Sequence, residues 1–302
     1  MKVDLAERIQ ELKQSRRAII LAHNYQPPEI QEIADLTGDS LELSREAATT
    51  NAAVIVFCGV HFMAETAAIL NPDKTVLLPK VDAGCPMADM ITVEDVIRVK
   101  SQHPGVPVVT YVNSTAAVKA ESTICCTSAN SIRVVESFTD AQSVYMAPDQ
   151  NLAKYTARHT AKQVHYWHGY CPIHHHLGPD DIRSARSHHP RAVFLAHPEC
   201  RPEVLDLADV VCSTSGMLRH VNTSSEQEFI IGTESGILYP MAKQNPTKSF
   251  YPASDKLICP DMKKISLPDV YQSLETLTPR VTVPENVLIR ALDAVNRMLA
   301  VA

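Results

Sequence analysis

Residues 18–40 read AIILAHNYQPPEIQEIADLTGDS. An apolar run gives way to a polar loop, a Pro-Pro break, a second apolar stretch and a small hydroxyl residue. The opening run has the pattern of a strand buried on both faces, and the prolines punctuate the chain after it. The pattern recurs in VPVVTYVNSTAAVKAESTICCTS (106–128) and AVFLAHPECRPEVLDLADVVCST (192–214). His23, Tyr111 and His197 stand 88 and 86 residues apart, and so do Ser40, Ser128 and Thr214. Each copy continues in parallel. A helix is expected after the hydroxyl residue, then an apolar run (AVIVFCG, SVYMAP, EFIIG), then a helix starting near Met63, Gln150 and Ser235. A fourth apolar run follows (TVLLPK, QVHYWH, KSFYPA), and after it a Cys-Pro pair: Cys85-Pro86, Cys171-Pro172 and Cys259-Pro260, spaced 86 and 88.

Strands alternating with helices over such a repeat predict an α/β protein. We expect three pseudo-threefold-related Rossmann-like subdomains, each a small parallel sheet flanked by helices, around a central cavity. The bounds read from the repeat are 1–89, 90–176 and 177–302, the last including a C-terminal helix from about Pro284 to Ala302 with no earlier counterpart. An open row of three units is the alternative arrangement.

Composition narrows the function. The chain has 302 residues, 45% hydrophobic and 21% charged, with a net charge of −6. The absence of a basic excess argues against nucleic-acid binding. No run is apolar enough to span a bilayer. MKVDLAERIQELKQSRR reads as an amphipathic helix rather than a signal peptide, so a cytoplasmic protein is expected. Eight cysteines in a reducing compartment are then core residues, reactive thiols or metal ligands. No CxxC spacing occurs.

In parallel α/β sheets ligands gather beyond the carboxyl ends of strands, where the repeated residues fall. If three subdomains face one axis, Cys85, Cys171 and Cys259 converge on it. Three thiolates suit a 4Fe–4S cluster with one open iron, which would act as a Lewis acid in loss of water. A Cys₃His zinc site competes, and needs a histidine from WHGYCPIHHHLG (167–178). The other copies have no histidine there, so His174, His175 and His176 are taken as bystanders or supports of the ligand Cys171. Purely structural Cys-Pro loops are a further alternative. Cys58, Cys125, Cys126, Cys200 and Cys212 read as core. Ser40, Ser128 and Thr214 read as helix N-caps facing an anionic substrate. Arg45, Arg133 and Arg219 follow five residues later and read as bridges between subdomains. Tyr25 and Glu199 occupy equivalent positions and can move protons. His23 and His197 can donate to substrate oxygens.

Together LAHNYQPPEIQEIADLTGDSLELSREA, VVTYVNSTAAVKAESTICCTSAN, HGYCPIH, LAHPECRPEVLDLADVVCSTSGM, FIIGTESGILY and ICPDMKK resemble the quinolinate synthase family over nearly the whole chain. The resemblance implies a transferase-type synthase of NAD biosynthesis. It condenses iminoaspartate (iminosuccinate) with dihydroxyacetone phosphate to quinolinate, phosphate and two waters, with an aspartate oxidase or dehydrogenase as pathway partner. It implies cluster ligands Cys85, Cys171 and Cys259. It implies a substrate site of His23, Ser40, Tyr111, Val112, Asn113, Ser128, His197, Pro198, Glu199 and Thr214, with Tyr25, Glu199 and His197 catalytic. Some members carry a CxxCxxC run around the last ligand, but ICPDMKK holds only Cys259, so a disulfide there is not available. A zinc-dependent lyase acting on a phosphorylated triose and a non-catalytic anion-binding module remain the alternatives.

Overall fold

The computed structural model describes residues 5–301. Twelve strands form three parallel sheets of four. The first contains β1 (Ala18–His23), β2 (Leu36–Gly38), β3 (Val54–Cys58) and β4 (Thr75–Leu77). The second contains β5 (Val108–Tyr111), β6 (Ile124–Cys126), β7 (Ser143–Ala147) and β8 (Gln163–Tyr166). The third contains β9 (Val193–Ala196), β10 (Val210–Val211), β11 (Glu228–Gly232) and β12 (Ser249–Pro252). All three share one order: the second strand, the first, the third, the fourth. The central strands are buried because helices cover both faces, which is why Ile20, Leu21, Ile55, Val56, Val109, Phe194 and Ile230 are all fully buried.

In this order the chain leaves the first strand to one side and returns to its other side. The crevice beyond the carboxyl ends, between the first and third strands, is the topological switch point where ligands bind in open α/β sheets. Register places His23 opposite Gly38 and Ala22 opposite Cys58 in the first sheet, and Ala196 opposite Gly232 in the third. Residues 23–25, 111–113 and 197–199 therefore leave their sheets at corresponding points.

Local details differ from the sequence expectations. The helix expected near Met63 starts at His61, and near Ser235 a 3₁₀ turn (Ser235–Ile237) leads into the helix Leu238–Gln244. The C-terminal helix runs Glu285–Ala300, with Ala302 outside the described residues. Its buried residues Ala291, Ala294, Val295 and Met298 form one stripe at helical spacing. That stripe packs on β6, the helix Ala116–Ala120 and the helix His61–Leu70, tying the first sheet to the second. Helices precede each sheet at Leu5–Ser15, Val93–Gln102 and Pro179–His188, and another stands at Leu267–Thr276. This last helix extends the repeat past the third sheet and packs against Leu5–Ser15, closing the C-terminal end onto the first subdomain. Among the described residues no helix is long and apolar enough to cross a membrane.

Candidate active site and cluster-binding cavity

Each Cys-Pro pair opens a short helical turn. Pro172 is the first residue of the helix Pro172–His175, with Cys171 as N-cap. Cys85 precedes the 3₁₀ turn Ala88–Met90, and Cys259 the turn Asp261–Lys263. Proline suits this first position because its missing N–H would be unpaired anyway and its φ is preset. The turn then aims N–H groups at the preceding sulfur: those of Ala88, His174 and Met262 reach the thiols of Cys85, Cys171 and Cys259. Burial raises all three thiols, and these N–H groups offset part of that rise. Behind two of the turns buried carboxylates hold the backbone. Asp149 Oδ2 accepts from Cys171 N at 3.1 Å, and Glu234 Oε1 accepts from Cys259 N at 3.1 Å.

All three cysteines line one central cavity of about 210 Å³. His23, Tyr25, Ser40, Tyr111 and Asn113 line it as well, as do Ser128, His197, Glu199 and Thr214. Every unit thus contributes side chains to the same space, which sets aside the open row. Val112 and Pro198 are not among the lining side chains.

The hydroxyl residues are not the caps themselves. Asp39 and Ser213 are the N-caps, accepting from Glu42 N at 3.1 Å and Gly216 N at 3.3 Å, and Ser40 and Thr214 are the first helical residues. Ser128 lies upstream of the helix Ser131–Glu136, whose N-cap is Asn130. Asp and Ser satisfy the exposed N–H groups of the first turn, which frees Ser40 and Thr214 to face the cavity. Arg219 bridges to Glu42 at 3.4 Å, joining the third unit to the first. Arg45 and Arg133 make no such bridge among the described residues.

His174 is no bystander. It is buried, and its Nδ1 donates to Glu199 Oε2 at 2.6 Å and lies 3.2 Å from Cys171 Sγ. Its Nε2 is 2.8 Å from Thr233 Oγ1, and Thr233 in turn hydrogen-bonds the Tyr25 hydroxyl. Tyr25, Thr233, His174 and Glu199 therefore form a continuous hydrogen-bonded chain ending in a carboxylate. Burial raises the Glu199 carboxyl, but His174 beside it, with hydrogen bonds from His174 and Tyr111, outweighs burial and keeps it ionised. Burial raises the Tyr25 hydroxyl well above its usual range, so it is neutral. Burial also lowers His23 to about 4 and His197 to about 3. Both imidazoles are neutral hydrogen-bond partners at neutral pH. Gly236 holds the start of this chain: a Cβ there would fall 2.6 Å from the Tyr25 carbonyl oxygen.

These shifts have a consequence for stability. In the unfolded chain His23 and His197 take up protons below about 6.5, whereas the folded chain leaves both neutral down to about 4 and 3. The unfolded state then binds more protons between those limits, so stability falls as pH drops through that window. Urea unfolding of the metal-free chain from pH 8 to pH 5 should show a declining midpoint below about pH 6.5, less steep in His197→Gln.

The sequence model of the quinolinate synthetase A protein matches residues 7–300. The chain belongs to the quinolinate synthetase A family. It is 57% identical over 298 residues to the quinolinate synthase of Geotalea uraniireducens strain Rf4, covering 99% of this chain and 98% of that protein. It is 57% identical over 296 residues to the quinolinate synthase of Methanoregula boonei, covering 98% of both. The three parallel sheets fit the Rossmann-like subdomains that the family resemblance implied. The cavity also bears on the family's iron–sulfur cofactor. The one group of described His, Cys, Asp and Glu side chains with ligand atoms within 4.8 Å of one another is Cys171, His174 and Glu199. The three cysteines are thus spread too widely for all to grip a single ion, yet face one cavity. Soft donors at that spread, each with an N–H aimed at sulfur, fit a larger thiolate-bound inorganic group.

Proposed function

We propose that the chain condenses iminoaspartate with dihydroxyacetone phosphate to quinolinate, with loss of phosphate and two waters, in NAD biosynthesis. Cys85, Cys171 and Cys259 would hold a 4Fe–4S cluster with one iron left open. That iron would supply Lewis-acid assistance to loss of a hydroxyl group. The observation that carries the reading is the convergence of three cysteines, one from each unit, on a cavity shared with a buried carboxylate and neutral proton carriers.

The remaining work falls to the chain's own side chains. Ser40, Ser128 and Thr214 face the cavity from their three units and would bind the carboxylates or phosphate of an anionic substrate. Neutral His23 and His197 would donate to substrate oxygens. Tyr25 is placed to give or take a proton at the cavity, because its hydroxyl is coupled through Thr233 and His174 to Glu199. With all bonds oriented one way, a proton leaving His174 Nδ1 for Glu199 is replaced from Thr233, and Thr233 from Tyr25. Glu199 is the base that such a chain needs. Val112 and Pro198, whose side chains lie off the cavity, are left as backbone contacts. An aspartate oxidase or dehydrogenase would supply iminoaspartate, and a cytoplasmic location belongs to the same reading.

Anaerobic purification with iron and sulfide quantified tests the cofactor. About four of each per chain are expected, together with quinolinate formation from the two substrates. Colourless active protein containing zinc would overturn it in favour of the zinc-dependent lyase. Tyr25→Phe removes the end of the hydrogen-bonded chain and little volume. It should lower turnover by about 10²-fold or more with iron content unchanged, and steady-state kinetics against metal analysis checks both.

A further inference from the structure

Cys171, His174 and Glu199 are held together more tightly than cluster binding requires. His174 Nδ1 lies 2.6 Å from Glu199 Oε2 and 3.2 Å from Cys171 Sγ, and all three ligand atoms fall within 4.8 Å of one another. Around zinc, Zn–N and Zn–O bonds of about 2.0–2.2 Å and a Zn–S bond of about 2.3 Å call for ligand atoms separated by roughly 3.3–3.6 Å in a tetrahedron. The His174 Nδ1–Cys171 Sγ distance already lies close to that spacing, and the carboxylate reaches it by moving back from the ring. The supporting contacts of a metal site are already in place. His174 Nε2 is engaged by Thr233 Oγ1 at 2.8 Å, the bond that sets which ring nitrogen faces a metal. Tyr111 donates to Glu199 and fixes the carboxylate. A thiolate and a carboxylate neutralise a divalent cation in this buried setting, where any uncompensated charge is costly. The fourth position opens on the cavity.

We propose that the cluster-free chain has a second metal-binding mode: one borderline divalent cation of the zinc class on Cys171, His174 and Glu199. The inference depends on the proposed function for its consequence, since that reading also assigns Cys171 to the cluster. The two modes then exclude each other. An ion seated there removes one of three cluster thiolates and ties up the base at the end of the Tyr25 hydrogen-bonded chain. Zinc available before cluster assembly would hold the chain in an inactive, iron-free form until a chelator or competing ligand withdraws it.

The test uses the full-length chain, prepared cluster-free with reduced thiols and titrated with ZnCl₂ alone, with bound zinc measured after equilibrium dialysis. Wild type should bind one zinc per chain. Cys171→Ser, His174→Gln and Glu199→Gln should each lower the affinity at least tenfold. Thr233→Val, which touches no metal ligand directly but removes the hydrogen bonds to His174 and Tyr25, should weaken it by about 10–100-fold. Cys85→Ser and Cys259→Ser should bind zinc like wild type while failing to take up iron. Near-ultraviolet circular dichroism of each metal-free variant identifies any that has not folded, and Thr233→Val keeps the inference exposed if a ligand variant fails. Absence of zinc binding by wild type overturns it. So does zinc binding that survives His174→Gln and Glu199→Gln but is lost in Cys85→Ser or Cys259→Ser, because that pattern belongs to a site made of thiols. If wild type binds zinc in the expected pattern yet never accepts iron and sulfide, the cluster reading fails and the zinc site stands.

Discussion

Glu199→Gln should abolish turnover, by about 10²–10⁴-fold or more, while iron per chain remains at the wild-type value. The substitution keeps shape and removes charge. An amide oxygen can still accept from His174 Nδ1, now 2.6 Å from the carboxylate, so the ring keeps its place. What disappears is a site for a proton. In the wild type, burial opposes ionisation of Glu199, and His174 and Tyr111 overcome it. A carboxylate kept ionised against burial, at the end of a chain of hydroxyl and imidazole groups, is a base in waiting. Gln cannot accept the proton, and the chain from Tyr25 then has no terminus. The separation of effects is diagnostic. Iron content reports the three cysteines, whereas turnover and its pH profile report Glu199. Near-normal turnover in Glu199→Gln would move the proton-transfer role elsewhere in the cavity.

Much of this was legible because the chain repeats. Spacings of 86 and 88 carried the Cys-Pro pairs, the strand-end residues and the hydroxyl residues to one place, and the structure lines the cavity with all three sets. Parallel sheets leave long apolar runs, and those located the strands. What the repeat hid was the chemistry that breaks it. His174 corresponds to Ala88 in the first copy and Met262 in the third, while Thr233 corresponds to Pro148 in the second and Gly59 in the first. Comparison of copies therefore sets His174 aside and gives no signal for Thr233, although their side chains meet across 59 residues. Only side-chain direction, which spacing does not encode, brings them together. The caps were displaced for a simpler reason. A hydroxyl residue at the first helical position and an Asp or Ser just before it look alike in sequence, and only backbone dihedrals separate Asp39 from Ser40. The closing helix Leu267–Thr276 carries its own sequence signal. Thr92 with Asp95, Gly178 with Asp181 and Ser266 with Asp269 repeat at the same 86 and 88 spacing. In each pair the carboxylate accepts the first residue's backbone N–H at 2.9 Å. The repeat thus begins a fourth time, and that start docks on the first helix.

Cys85→Ser should lose the bound iron and with it quinolinate formation, though the chain stays folded. Serine is nearly isosteric, and Cys85 is only half-buried at the mouth of its turn, so little packing is lost. The turn itself does not depend on the sulfur: Ala88 N donates to the Cys85 carbonyl at 2.9 Å, and that bond survives the substitution. The chemistry changes far more. Burial pushes the Cys85 thiol up to about 12, so a free thiolate is not populated at neutral pH and only a bound metal stabilises it. A serine hydroxyl is a harder and much weaker acid, and two cysteines from the other units cannot close a site built for three. Unlike Cys171, Cys85 has no imidazole and carboxylate gathered within single-ion reach of it among the described residues, so no such pair replaces the lost ligand. Metal analysis after anaerobic reconstitution, visible absorption and an unfolding curve give three independent readouts. Iron and colour should vanish while the unfolding midpoint of the metal-free protein moves little. Retention of a full complement of iron by Cys85→Ser would show that the three sulfurs do not share one guest, and the assignment of the cavity would fall with it.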